Sequence, residues 1–434
     1  MKYQEALDYL ESIQNYGIVP GLESIVRLCG RLGNPQEGLQ FVHIAGTNGK
    51  GSTLAYLSTV LRCAGYRVGR YSSPAVVEYR EIIQVNGRNI TQKAFGEGVE
   101  LIRNACYEIM EAGFPHPTPF EVETALAFWY FDRKGCDIVV LETGLGGLYD
   151  ATNLIRTTLV SVLASISMDH MKFLGNSLSK IAEHKAGILK EGCDAVSMEQ
   201  EPEAMEVVRR VAKERHCRLR VTDRSSIVNI RRGGRNVERQ RFDYRPAEGT
   251  VLKDLEIGLG GVVQMDNVLL ALETLQVLRE KGFVIKEEAV RRGLRETVWP
   301  GRFSVISKKP LFVADGAHNA DAAEKLAQSI EMYFTNRRII YIMGMLRDKE
   351  YEKVIRLTQS YADQIITITP PDNPRAMSAY DLAQEIAGVH PRVTAADSLE
   401  EAVELARLLA APEDVILAFG SLSYLGRLIK LAER

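Results

Sequence analysis

Apolar and polar positions along this chain follow two periods. The opening segment MKYQEALDYLESI spaces its apolar residues as an amphipathic helix does, with acids between them. FVHIA (Phe41–Ala45) is a short apolar run and predicts a buried strand. A glycine-rich stretch follows, and STLAYLSTVLRCAG then shows helical periodicity that opens on Ser52 and closes on Gly65. DIVVLE (Asp137–Glu142) and TLVSVLASI (Thr158–Ile166) predict two more buried strands, each followed by a loop and helical sequence such as LSKIAEHKAGILK. Strands and helices alternating in this way predict a mostly parallel sheet covered by helices.

Between about Ser197 and Gly260 the pattern becomes irregular, and the basic run NIRRGGRNVERQRFDYR suits antiparallel strands. Helices are predicted at about Met265–Lys281 and Lys286–Thr297, and the Pro-Gly pair in Trp299–Arg302 then punctuates the chain. Beyond it, five apolar runs (LFVAD, RIIYIMG, QIITIT, PRVTA, VILAFG) alternate with helical segments near 320–334, 350–361, 378–388, 398–410 and 422–433. That pattern predicts a small open α/β sheet. The expected fold is α/β in two units, residues 1–298 and 299–434.

Composition narrows the function classes. A chain of 434 residues exceeds one typical core, in keeping with two units. Its 54 basic and 56 acidic residues leave a net charge of −2, so no global positive field points to nucleic acid or an anionic membrane. Apolar runs all fall short of the roughly 18 residues a membrane span needs. The N-terminal segment lacks a basic stretch followed by an apolar core, which leads us to expect a cytoplasmic protein. The six cysteines show neither a C-x-x-C pair nor zinc spacing, so reduced structural thiols are expected, with Cys217 in RHCRLR the one cysteine in a basic setting.

Chemistry concentrates in HIAGTNGKGS (His43–Ser52). A loop that leaves a parallel strand and enters a helix presents unpaired backbone N–H groups at the positive end of the helix dipole, and so binds anions. Gly46, Gly49 and Gly51 allow close approach, Lys50 supplies a point charge, and Ser52 can offer a hydroxyl to Mg²⁺. These are the parts of a nucleoside triphosphate cradle, although the strict G-x-x-x-x-G-K-[ST] spacing is not met, because Lys50 precedes Gly51.

GTNGKGS, YSSP, TPFEVETALAFWYF, LETGLGG, DATN, MDH, LGNSLSKIAEHKAGILK, WPGRF and DGAHN follow one another in the order seen in the folylpolyglutamate synthase/dihydrofolate synthase family, a branch of the Mur ligases. The chain resembles that family from its N-terminal helix to FGSLSYLG. The resemblance implies a P-loop-type ATP-binding domain with a mostly parallel sheet and a smaller C-terminal Rossmann-like glutamate-ligase domain. It also implies an activity: ATP phosphorylates a folate-type carboxylate, and the amino group of L-glutamate displaces phosphate.

Carried onto this chain, the resemblance makes Asn48, Gly49, Lys50, Gly51 and Ser52 the phosphate loop. It makes Ser73, Glu142 and His170 ligands of Mg²⁺, with His170 placed at the end of the strand after Glu142. Lys185 corresponds to a lysine that is often carbamylated, and Lys50, Lys185 and His170 form the expected catalytic set. Asn267, Arg302, Asp315 and His318 would contact ATP, the last two from the second domain. Folate or dihydropteroate would lie near Pro20–Glu23, Phe120, Glu121, Tyr149, Asp150 and Ala151. A monovalent cation and a monomeric state also belong to the implied picture.

Several positions depart from the family pattern, and those near Ala75 and Leu148 flank the expected substrate pocket. Ala75 stands where the family pattern has histidine, Leu148 and Tyr149 replace Arg-Leu, Val263 precedes Gln264 where histidine is usual, Ser304 replaces Glu and Ala320 replaces proline. They leave open a ligase for another carboxylate and amino acid, and a nucleotide-binding protein without chemistry.

Overall fold

The computed structural model describes residues 1–17, 21–233 and 236–433. Pro20, at the head of Pro20–Glu23, lies outside the described residues. Among those described, the strands form three sheets.

The first sheet contains β1 (Phe41–Ala45), β2 (Val68–Tyr71), β3 (Ile83–Val85), β4 (Arg88–Asn89), β5 (Ile138–Glu142), β6 (Thr158–Leu163), β7 (Asp194–Ser197) and β8 (Arg218–Val221), in the order β4-β3-β2-β5-β1-β6-β7-β8. From β2 to β8 all neighbours pair in parallel, while β3 and β4 close one edge antiparallel. Helices cover both faces, which explains why β1 and β5 read as unbroken apolar runs. Val42 and Ile44 of β1 pack under the helices Lys50–Cys63 and Gln264–Glu280, whereas Phe41 points to the opposite face, against Phe128 and its neighbours.

The basic run does form antiparallel strands: β9 (Ile227–Gly233), β10 (Asn236–Tyr244) and β11 (Leu252–Ile257) make a three-stranded sheet. Every later strand joins the third sheet, β12 (Ser304–Lys308), β13 (Leu311–Ala314), β14 (Ile339–Met343), β15 (Gln364–Thr367), β16 (Val393–Ala395) and β17 (Val415–Phe419), in the order β12-β13-β17-β14-β15-β16. β12 is its antiparallel edge; the others run parallel.

Two differences from the pattern-based expectation bear on the site. The helix after the glycine loop begins at Lys50, not Ser52, because Gly49 caps it at φ +86°, a conformation that disfavours any side chain. β6 stops at Leu163, three residues before Ile166. Beyond it, Ala164 N–H donates to Ala45 C=O (2.8 Å) and Thr47 N–H donates to Ser165 C=O (2.6 Å), so this segment props the loop from beneath. His170 therefore lies in a connection at φ +51°, ahead of the short helix Met171–Leu174, and not at a strand end.

Candidate active site

The glycine loop is held by close approach. A side chain at Gly49 would put its Cβ 2.4 Å from Asn267 Oδ1, and one at Gly51 would meet the Trp299 ring at 2.7 Å. Trp299 in turn packs beneath the Arg70 guanidinium, 4.7 Å from the ring centroid. A chain of amides supports the first helical turn: Gln264 Nε2 donates to Ser52 Oγ (3.3 Å), and Asn267 Nδ2 donates to Gln264 Oε1 (3.2 Å).

Charge around the loop is poorly matched. Lys50 Nζ donates to the carbonyls of Gly46 (3.0 Å) and Thr47 (3.2 Å), and its nearest carboxylate, Glu142 Oε1, is 3.9 Å away. Lys185 is buried and its Nζ donates to the same Gly46 carbonyl at 2.8 Å. Two ammonium groups thus share one acceptor. Burial lowers both lysines, Lys185 to about 7 with further repulsion from Lys50. Burial also pushes Glu142 up to about 7, against the pull of Lys50, Arg302 and Arg70. A set of buried cations and one carboxylate, each short of its ordinary charge stabilisation, suits a polyanion with a counter-cation.

Two cavities are lined by chain neighbours of this cluster. The first, of about 540 Å³, is lined by Asn48, Gly49, Ser52, Asn267, Arg302 and Asp315. The second, of about 820 Å³, takes in Ser73, Phe120, Glu121, Tyr149, Asp150, Ala151, His170 and His318. The carboxylate of Glu142 lies 3.9 Å from Lys50 of the loop, and Gly144 and Leu145, two and three residues on, line the second cavity.

The expected nucleotide residues divide accordingly. Asp315 accepts from Phe303 N–H (2.9 Å) and Ala317 N–H (2.8 Å), and burial raises its carboxyl against the pull of Arg302. His318 falls on the second cavity's side, its Nδ1 2.8 Å from Gly316 O and its Nε2 3.8 Å from Asp169 Oδ2.

On the acceptor side the carboxylates are already partnered. Glu121 Oε2 accepts from Thr118 N–H (2.7 Å), Thr118 Oγ1 (2.9 Å) and Ser24 Oγ (3.0 Å), closing a capping box on the helix Pro119–Arg133. Asp150 accepts from Leu145 N–H (2.7 Å), Thr152 N–H (3.0 Å) and Thr152 Oγ1 (2.5 Å). Both therefore shape their loops before they meet any ligand. Tyr149 is half exposed, its ring edge-on to His184, and Phe120 fills the space above Gly144.

Several residues escaped the sequence reading. Asp169 links the first sheet's unit to the third sheet's: Lys349 Nζ donates to its Oδ1 at 2.7 Å, Asn319 Nδ2 reaches Oδ2 at 3.4 Å, and both His170 and His318 lie within 4 Å. Burial works to raise this carboxyl, but His318, Lys349 and His170 outweigh it and hold it well below the usual range. Asn48 of the loop donates to Asp321 Oδ2 at 2.7 Å, a second link across. His170 is lowered to about 4, chiefly by burial against the pull of Asp169, so its imidazole is neutral near pH 7 and free to ligate. The motif MDH contains Asp169, but nothing in its local sequence signals a partner 180 residues away.

Comparison with known proteins places the chain in a family. Mur ligase middle domain describes residues 44–275, and Mur ligase, glutamate ligase domain describes residues 301–422. The dihydrofolate synthase/folylpolyglutamate synthase of Bacillus subtilis is 34% identical over 432 residues, covering 99% of this chain and 98% of its own length. Folylpolyglutamate synthase of Mycobacterium tuberculosis, solved in complex with ADP and AMPPCP, gives a TM-score of 0.91 at 29% identity over 100% of this chain and 99% of that one. FolC of E. coli, solved in complex with DHPP and ADP, gives 0.84 at 31% identity over 99% and 97%.

The protein is thus a Mur ligase by fold and by both of its matched domains. Within that class it belongs to the folylpolyglutamate synthase/dihydrofolate synthase family.

Proposed function

We propose that this chain is an ATP-dependent ligase that adds L-glutamate to the carboxylate of a folate, of dihydropteroate, or of both, releasing ADP and phosphate. One observation carries the reading: the loop bearing Lys50 lines one cavity through Asn48 and Gly49, the expected acceptor residues line another, and Glu142, 3.9 Å from Lys50, lies two residues before Gly144 of the second. Residues 1–298 hold ATP and acceptor, and residues 299–434 complete the site.

A carboxylate is a poor acyl donor, and phosphorylation gives it a good leaving group. In this chain the loop N–H groups and Lys50 hold the transferring phosphoryl group, and Arg302 and Asp315 approach from the second unit. Asn48–Asp321 and Asp169–Lys349 draw the units together and exclude the water that would hydrolyse an acyl phosphate.

Glu142 suits a hard divalent cation: it is a buried oxygen donor whose nearest ammonium stands 3.9 Å off, beyond a hydrogen bond. With Ser73 and His170 it would hold Mg²⁺, which supplies charge neutralisation on the phosphates. Among the described residues no group of three or more His, Cys, Asp or Glu side chains is arranged to hold a metal by itself.

Lys185, lowered to about 7, has a neutral amine available at physiological pH, the form that adds to CO₂ with loss of a proton. Its carbamate would turn the second ammonium at Gly46 into an anion. Labelled bicarbonate should give a carbamate signal in carbon NMR that Lys185→Arg lacks; an unchanged spectrum overturns the modification.

The activity itself is tested by phosphate release with MgATP and glutamate, comparing tetrahydrofolate, dihydropteroate and no acceptor. Acceptor-dependent release with a glutamylated product supports the ligase and ranks its substrates. Release indifferent to both acceptors contradicts it.

A further inference from the structure

Cys193 and Cys217 are 24 residues apart in a chain whose cysteines show no paired motif, yet the fold sets them side by side. Each directly precedes a strand, Cys193 before β7 and Cys217 before β8, and these strands pair in parallel with Asp194 opposite Arg218. Arg218 N–H donates to Cys193 C=O at 3.1 Å, which fixes the two backbones. The sulfurs are 3.6 Å apart, close enough for side-chain rotation alone to bring them to bonding distance.

The surroundings favour a thiolate at one sulfur. Cys193 is 8% exposed, with Ser161 Oγ 3.7 Å from its sulfur, while Cys217 is half-buried. The contact with Cys217 lowers the Cys193 thiol, and the same contact raises Cys217. Lys190 adds positive charge nearby, and Arg215, His216 and Arg218 flank Cys217 in sequence.

From this pair a short path leads to the acceptor loop. The Lys190 carbonyl accepts from the Cys217 thiol (3.2 Å) and from Cys193 N–H (3.1 Å). Lys190 Nζ donates to Asn153 O and Oδ1, both at 2.7 Å, and Asn153 Nδ2 donates to Leu148 O and Gly187 O, both at 3.1 Å. Tyr149, Asp150 and Ala151 of that loop line the second cavity.

We propose that Cys193 and Cys217 are a redox-active thiol pair that closes reversibly into a disulfide and, through Lys190 and Asn153, loosens the acceptor loop. The oxidant is a peroxide. The Cys193 thiolate attacks one peroxide oxygen, the O–O bond breaks and hydroxide leaves, giving a sulfenic acid. The Cys217 sulfur then attacks the Cys193 sulfur, the S–S bond forms, and the S–O bond breaks with release of water that carries the thiol's proton. Two thiols give up two electrons and one peroxide is reduced to two waters. Oxidation removes the S–H that Lys190 C=O accepts and draws the Cys217 sulfur toward Cys193.

The pair is tested on the full chain with hydrogen peroxide, intact mass and peptide mapping. A loss of about 2 Da, a cross-linked peptide joining Cys193 to Cys217, and reversal by a thiol reductant are expected. Cys217→Ser should stop at the sulfenic acid, trapped by dimedone on Cys193. If both thiols remain alkylatable under conditions that oxidise half-buried Cys63, the pair is overturned. The coupling to the acceptor loop rests on the ligase reading. Oxidised protein should show an acceptor KM raised about 2- to 10-fold, the loss of one hydrogen bond, with the ATP KM unchanged and no such rise in Cys217→Ser. A disulfide that leaves the acceptor KM unmoved overturns the coupling. Reduced protein without acceptor-dependent turnover overturns the ligase reading instead, and the mass measurement still decides the pair.

Discussion

The two cavities differ in how their charged groups are partnered. Around the glycine loop, Lys185 and Glu142 are buried and Lys50 is partly buried, with few charge partners, and burial moves each toward neutrality. Across the Lys50–Glu142 pair, Glu121 and Asp150 are bonded to backbone N–H and hydroxyl groups of their own loops. Burial also raises Asp150, so the difference lies in the partners: the two lysines and Glu142 await a ligand that brings its own charge, while Glu121 and Asp150 are already tied into their loops. Substitutions should therefore act on chemistry in one and on shape in the other.

Lys50→Ala gives the largest effect expected from this contrast. It should cut kcat by about 10³-fold, the scale of a lost transition-state donor, without lowering Tm, because no stabilising ion pair is broken. A fall in Tm comparable to a core truncation would mean that Lys50 is a structural residue.

Asp150→Asn comes next. It replaces one acceptor oxygen with a donor facing Leu145 N–H or Thr152 N–H, and should destabilise the protein by about 2 kcal/mol in denaturant unfolding. The acceptor KM should rise with the ATP KM unchanged; equal rises in both would erase the distinction between the two regions.

Asp169→Asn weakens the bond to Lys349 between the units and should lower kcat about 10-fold, with acceptor-dependent phosphate release exceeding glutamylated product as water enters. Unchanged coupling of ATP use to product would show that Asp169 does not guard the site.

In the nucleotide-free protein, the stability of Glu142→Gln is the smallest change to read and the most diagnostic of stored charge. Glu142 titrates at about 7 in the fold against 4.5 in the free side chain, so its contribution to stability is fully present below 4.5 and lost as the pH rises through 7. The nucleotide-free variant should be more stable than the parent by about 1–2 kcal/mol at pH 8, with the difference vanishing near pH 4. A variant less stable at pH 8 would show that the Lys50–Glu142 pair is a net stabilising bridge.

How legible the molecule was in its sequence depended on whether the signal was local. Apolar runs such as VILAFG and RIIYIMG, and the helices between them, lie where periodicity puts them, because strands buried on both faces leave little choice of residue. β2, β7, β8 and β12 are only four or five residues long, several with charges at half-exposed edges, and the same periodicity passes over them. The glycine loop is legible because each glycine answers a nearby constraint, Gly49 through its φ and Gly51 through Trp299. Asp169 with Lys349, Asn48 with Asp321, and Cys193 with Cys217 have no such local mark, since each pair is made only when distant segments meet.

The proposed reaction turns on the acceptor carboxylate becoming an acyl phosphate before glutamate attacks. That step is checked by following oxygen from an acceptor labelled with ¹⁸O in its carboxylate, during turnover with MgATP and glutamate. Transfer of one labelled oxygen from the carboxylate into the released phosphate is the predicted result, because the oxygen that attacked the γ-phosphorus departs with it when the amine forms the amide. Phosphate free of label, with glutamylated product formed, would contradict both the acyl phosphate and a phosphoryl-transfer role for the Lys50 loop.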